Sequence, residues 1–252
     1  MYPSDESDRL PSPEMREAFE RDGFFVVRSG FRPEEIEPVR AACLAAWQAK
    51  HDEGDLLERA LVRPFLPEIH LQSAAVAEFC RHPIFVELAR GLIGSEVDQT
   101  WNQACFKAPD KGELTRFPVH QDGQFAEVTH PETGFACFIA LRPLSRANGS
   151  LGFARGHHRK TLEHHWSETD SWWSCAVDDD AMVYPELAVG DFVVYHPKTP
   201  HGGEPNGTDA AREAFLVAFN EPEVRLVETG ELFGNQRPLL RAGVLAPSLT
   251  TA

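Results

Sequence analysis

From Val97 onward the chain is cut into short apolar or alternating runs, and this pattern constrains its fold more than any other feature. The runs are "VDQTWNQACFKAP", "FACFIALRPL", the stretch from Gly149 to His158, "GDFVVYHP" and "EAFLVAFNEP", separated by Gly, Pro, Asn and Asp. Runs of that length bounded by turn residues read as the strands of an antiparallel sandwich or barrel. The first third reads differently. "SPEMREAFERDG" has Ser12 to cap a helix, Pro13 in its first turn and Gly23 just past its end. "FFVVRSG" reads as a strand. "RPEEIEPVRAACLAAWQAKHDEG" spaces Ile36, Val39, Cys43 and Trp47 for one helical face, and "QSAAVAEFCRHPIFVELARGLIG" reads as a third helical stretch. The expected fold is mainly β with N-terminal helices, a jelly-roll core, in one domain. Its parts are a helical segment over 1–95, the core over 96–222 with an insertion at about 155–188, and a C-terminal tail over 223–252. The Trp-rich insertion is long enough to act as a lid or binding loop.

Composition removes several function classes. Hydrophobic residues make up 42% of the 252, enough for a sizeable core. The formal net charge of −15 disfavours a nucleic-acid partner, which needs a basic face. The five cysteines contain no C-x-x-C pair, so neither a disulfide framework nor a zinc knuckle is expected and the cytoplasm is the natural compartment. No segment is apolar and long enough to span a bilayer, and the acidic, Pro/Ser-rich start, expected to be mobile, is not a signal peptide.

Candidate chemistry begins at "FPVHQDGQF". Residues two apart on a strand point the same way, so His120 and Asp122 can offer an imidazole nitrogen and a carboxylate oxygen to one ion. A third ligand must come from another strand. His201, after "GDFVVYHP" and before two glycines, is the candidate, with His196 competing for the role. Two histidines and one carboxylate on one face of an octahedral ion leave three positions open, as in non-haem Fe(II) oxygenases. Arg212, at the start of the last apolar strand, needs an anion if it points inward; that anion is either a ligand carboxylate or a neighbouring Glu or Asp. The histidine pairs His157–His158 and His164–His165 lie in the insertion, where adjacent histidines rarely share an ion. Trp166, Trp172 and Trp173 either line a substrate pocket or pack within a lid.

In this order, "FPVHQD", "RPLSRANGSLGFARGHH", "GDFVVYHPKTPHGGEPN" and an arginine eleven residues past the histidine resemble the phytanoyl-CoA dioxygenase family of iron(II)- and 2-oxoglutarate-dependent oxygenases. The resemblance covers roughly Trp101 to Phe219, with a weaker echo in "FERDGFFVVRSGFRPEEIEPVR". It implies a double-stranded β-helix core and Fe(II), 2-oxoglutarate and O2 as metal and cosubstrates. His120, Asp122 and His201 would hold iron, and Arg212 the distal carboxylate of 2-oxoglutarate. Gln103, Phe138 and Gly203 stand where the family contacts the cosubstrate, although Gln103 also reads as an ordinary strand residue and Phe138 as core. Where many relatives read Gly-Ser-His, this chain has Gly156-His157-His158. Halogenating relatives replace the carboxylate of the triad with a small residue, so Asp122 implies hydroxylation, or desaturation, epoxidation or ring formation, of a small organic molecule. Two rivals are a jelly-roll binding protein with a vestigial site, and a metal-dependent isomerase or hydrolase on the same barrel, for which Arg212 has no required role.

Overall fold

The computed structural model describes residues 10–52, 63, 66–109, 114–122, 134–168, 170 and 172–248. The expectation for the acidic start before Leu10 lies outside the described residues. Helix α1 (Pro13–Asp22) begins with the Ser12 hydroxyl accepting from the Met15 amide at 3.3 Å and ends at left-handed Gly23, φ 88°. Strand β1 (Phe24–Val27) and helix α2 (Pro33–Asp52) follow, α2 burying Ile36, Val39 and Cys43. The third helical stretch is two helices, α3 (Ala74–Phe79) and α4 (Pro83–Leu92). The physical reason is Pro83: it lacks an amide proton and disfavours helical geometry in the residue before it, so the chain restarts, with the His82 ring accepting from the Ile84 amide at 3.2 Å.

Two antiparallel sheets form the core. The larger joins β1, β10 (Phe192–Tyr195), β5 (Phe135–Ala140), β12 (Arg212–Asn220), β3 (Val97–Lys107), β13 (Arg237–Arg241) and β14 (Val244–Leu245), in that order, and β2 (Leu66–Pro67) also pairs with β3. The smaller runs β4 (Phe117–His120), β11 (His201–Gly203), β6 (Gly152–Ala154) and β9 (Met182–Val183). A separate hairpin pairs β7 (His165–Ser167) with β8 (Trp172–Ser174).

Period-two alternation divides the larger sheet. Phe135, Cys137, Ile139, Phe192, Val194, Phe215, Val217 and Phe219 share one buried cluster with the helices. Ala136, Phe138, Ala140, Val193, Tyr195, Ala214 and Leu216 belong to a second cluster, facing the smaller sheet. Strands buried on both faces read as continuous apolar runs, which is why "FVV" and "AFLVAF" stood out. The helices therefore cover the outer face of the larger sheet, and the second cluster fills the space between the two sheets.

Two boundaries differ from the sequence reading. Val183 pairs with Phe153, and Leu144 bridges Leu187, so the chain rejoins the barrel before residue 188. The segment after Glu223 is also more than a tail: Leu240 pairs with Val97 and is fully buried. The turn at Ala242 and Gly243, with φ of 50° and 72°, folds β14 back on β13. Among the described residues no helix is long and apolar enough to cross a membrane.

Candidate metal centre

His120 and His201 are direct cross-strand partners on β4 and β11, which brings their ring centroids to 4.5 Å. Each ring is fixed by its own backbone. Nδ1 of His120 lies 2.9 Å from the Pro118 carbonyl, and Nδ1 of His201 lies 3.0 Å from the Thr199 carbonyl. A carbonyl only accepts, so this network assigns the proton to each Nδ1 and leaves each Nε2 with a bare lone pair. Pro118 sits on an edge strand, where its missing amide proton costs nothing.

Asp122 lies two residues beyond His120, its amide donating to the Pro197 carbonyl at 3.0 Å. Its Oδ1 is 3.6 Å from Nε2 of His201 and 3.8 Å from Nε2 of His120. All three ligand atoms lie within 4.8 Å of one another, the one such cluster among the described residues. Burial first, and then the neighbouring His201 ring, hold His120 well below the usual imidazole range, so it stays neutral. Two imidazole nitrogens and a carboxylate oxygen therefore converge on one point. That donor set fits a divalent cation with open positions, as an iron(II) oxygenase requires.

His196 does not compete. Its ring packs against His158 at 5.5 Å and Phe19 at 5.9 Å, away from the cluster. The loop from His196 to Pro200 rests on Gly23, whose carbonyl accepts from the His196 amide and the Thr199 hydroxyl, both at 2.8 Å. A Cβ on Gly23 would lie 2.6 Å from that hydroxyl, so the helix cap and the ligand loop fit only with glycine there. Of the other histidines noted, His164 accepts from the Gln121 amide at 3.2 Å, and His165 is exposed.

Arg212 enters the interior from β12. It is 4% exposed, and Nη1 donates to the Cys105 carbonyl at 2.9 Å. Nε is buried with no hydrogen-bond partner, and no ion pair among the described residues involves this guanidinium. Burial pulls its pKa down to about 10, so it remains charged at neutral pH. A buried planar cation with an orphan donor fits an incoming carboxylate, the role 2-oxoglutarate would fill.

Phe138 lies under that group, its ring centroid 5.6 Å from the guanidinium carbon. Gln103 shares the inner face of β3, its Oε1 accepting from the Trp101 indole at 3.3 Å and its Nε2 3.4 Å from Cys105 Sγ. Gly203 is buried where a Cβ would lie 2.9 Å from the Gly149 carbonyl. The three tryptophans separate. Trp172 packs against Phe117 at 5.3 Å and His120 at 6.2 Å. Trp166 and Trp173 are 47% and 42% exposed and pair with each other on the hairpin's other face.

Four residues at the site were not singled out from the sequence. Tyr195 donates to Oδ2 of Asp122 at 3.2 Å. Lys107, wholly buried and paired in register with Arg212, donates from Nζ to the carbonyls of Gly203 at 3.2 Å and Glu204 at 2.7 Å. Burial holds Lys107 well below the usual lysine range. Gln121 ties the segment after β6 to the ligand loop, donating to the Lys160 and Lys198 carbonyls at 2.9 and 2.6 Å and accepting from the Leu162 amide at 2.8 Å. The Arg63 guanidinium lies over Phe117 at 4.8 Å and Trp172 at 5.8 Å.

Known proteins resemble this chain in sequence and in fold. A probable phytanoyl-CoA dioxygenase of Caenorhabditis elegans is 30% identical over 156 residues, 56% of this chain and 49% of that protein. The chain thus spans about half the length of that relative. The ectoine dioxygenase of Nocardia farcinica is 28% identical over 243 residues, covering 85% of this chain and 80% of the relative. Among solved structures, the non-heme monooxygenase ThoJ superposes with a TM-score of 0.72 at 25% identity, covering 93% of this chain and 85% of that one. The family model described as phytanoyl-CoA dioxygenase (PhyH) matches residues 19–214, close to four-fifths of the sequence and the whole of the site. The chain therefore belongs to the phytanoyl-CoA dioxygenase family of iron(II)- and 2-oxoglutarate-dependent oxygenases.

Proposed function

We propose that the enzyme hydroxylates an unactivated C–H bond of a small organic molecule, converting 2-oxoglutarate to succinate and carbon dioxide. The observation that carries this reading is the convergence of two Nε2 lone pairs and Oδ1 of Asp122 beside a buried arginine with an orphan donor. In this reading His120, Asp122 and His201 hold iron, and Arg212 grips the far carboxylate of 2-oxoglutarate. Phe138 supports the guanidinium from below, while Gln103 and Gly203 border the cosubstrate. Bound iron with 2-oxoglutarate and dioxygen supplies the oxidant.

The chain's own residues orient and exclude. Pro118 and Thr199 aim the two imidazoles through their carbonyls. Phe117 and Trp172 cover the flank of His120 and keep water from that side. Trp172 is the tryptophan placed to meet substrate; Trp166 and Trp173 serve the outside of the hairpin. Retention of Asp122 favours oxygen transfer over halide transfer, and a free metabolite is the preferred substrate class.

The test is incubation of purified protein with Fe(II), 2-oxoglutarate, ascorbate and a panel of metabolites under 18O-labelled dioxygen. The expected result is succinate release and a product heavier by one labelled oxygen. Protein that binds no 2-oxoglutarate in the presence of metal would sink the reading, as would turnover indifferent to Arg212→Ala.

A further inference from the structure

The two oxygens of the Asp122 carboxylate have different surroundings. Oδ1 faces Nε2 of both histidines, at 3.6 Å from His201 and 3.8 Å from His120. Oδ2 instead accepts the Tyr195 hydroxyl at 3.2 Å. The partners also differ in freedom. The Asp122 side chain is 40% exposed two residues past the end of a short strand, whereas Tyr195 is wholly buried in the larger sheet. The tyrosine ring is wedged against His201 at 4.9 Å and Phe153 at 5.2 Å, so its hydroxyl arrives from a fixed direction.

We propose that Tyr195 is a positioning residue that holds Oδ2 of Asp122 away from the metal and keeps the carboxylate bound through one oxygen. This rests on the assignment of Asp122 as a metal ligand made above. A carboxylate can ligate a cation through one oxygen or both. On a six-coordinate ion held by two imidazoles, one carboxylate oxygen would leave three positions for the cosubstrates. Two carboxylate oxygens would leave only two, too few for a chelating keto acid and dioxygen together. A hydroxyl donating to Oδ2 occupies the lone pair that the second metal bond would need, and the donor is preset by a sheet that does not form part of the ligand loop. The residue would thus set the number of open positions without touching the metal.

The test is an anaerobic titration of Fe(II), then 2-oxoglutarate, into wild type, Tyr195→Phe and Asp122→Ala, read by the visible absorption of the metal–keto-acid complex. Tyr195→Phe is expected to weaken 2-oxoglutarate binding to the metal-loaded protein by about tenfold, the lower end for outer hydrogen-bond partners of metal ligands. It should also shift the absorption band, lower kcat more than it raises the substrate KM, and release more succinate per product formed. The melting temperature of the metal-free variant should barely move, which separates positioning from general stability. An unchanged affinity, band and coupling ratio would overturn the proposal. If Tyr195→Phe does not fold, X-ray absorption on the wild-type Fe(II) protein decides: a carboxylate carbon at the short, two-oxygen distance from iron overturns it, and its absence there supports it. Asp122→Ala separates the two readings. If that variant binds metal like wild type, the ligand assignment fails; if it loses metal while Tyr195→Phe matches wild type, only the positioning role fails.

Discussion

The two sheets of this enzyme divide the labour unequally. The larger pairs nine residues of β12 with β3, is covered by helices, and places Phe192, Phe215 and Phe219 in a closed apolar layer. The smaller is built from strands of two to four residues, yet it carries both histidines of the metal cluster. Long ladders and aromatic packing supply stability, whereas the short sheet supplies aim, through carbonyls at Pro118 and Thr199 and a loop that rests on Gly23. Arg212 and Tyr195 cross this division: they stand on the stable sheet and reach toward the reactive one.

Substitutions can break that contrast or sharpen it. The largest effect belongs to the small sheet. His120→Ala, Asp122→Ala or His201→Ala should each lower succinate release at least about 1000-fold, roughly 4 kcal/mol in the barrier, and abolish Fe(II) binding in a titration. The unfolding midpoint of the metal-free protein should stay within a few degrees; a collapse of the fold would show that the short sheet also carries stability.

Phe192→Ala is the converse experiment. Removing a fully buried ring between the helices and the larger sheet should cost about 3–5 kcal/mol in denaturant unfolding, with the metal affinity of the folded fraction unchanged. Arg212→Ala, on the same sheet but facing inward, should raise the KM for 2-oxoglutarate about 100-fold, in line with the roughly 1.5–3 kcal/mol of a charged hydrogen bond. Arg212→Lys should recover only part of that loss, because an ammonium cannot match the planar fork.

The hairpin tryptophans give a smaller contrast. Trp172→Ala should raise the substrate KM severalfold, and Trp166→Ala should leave turnover and stability within about 0.5 kcal/mol of wild type, as for other exposed positions. The smallest effect is in the helical shell. Arg32 hydrogen-bonds Glu35 and holds its carboxyl at about 2, below the ordinary 4.5. A carboxyl depressed on folding stabilises above pH 4.5 and loses that contribution as pH falls toward 2, so wild type and Glu35→Gln should converge in stability over that acid range.

Much of this was legible from residue order. The strands announced themselves through apolar runs, and the spacing of His120 and Asp122 placed two donors on one side of the chain. The two glycines and the downstream arginine point to His201, whereas Arg212 on its own reads equally as a partner for a ligand carboxylate or for a neighbouring acid. What stayed hidden depended on distances between sheets. Tyr195 reads as one more apolar aromatic of "FVVY", and only the approach of Asp122 gives its hydroxyl a task. Lys107 is hidden for the opposite reason: lysine is almost never fully buried, so nothing local suggests that it would pin the carbonyls behind His201. The break at Pro83 and the hairpin at Ala242–Gly243 were visible signals, masked by the helical and irregular texture around them.

Gln121 sits between two residues of the candidate metal cluster, and its side chain turns the other way. It is 1% exposed and joins the Lys160 carbonyl, the Leu162 amide and the Lys198 carbonyl. Anyone transplanting the tryptophan hairpin from a relative to change substrate range therefore has a seam to respect. A graft that begins after Leu162 keeps the glutamine's partners and leaves the ligand loop anchored. One that begins before Lys160 must supply the same carbonyl and amide, because a new binding loop fitted without them would loosen the centre it was meant to serve.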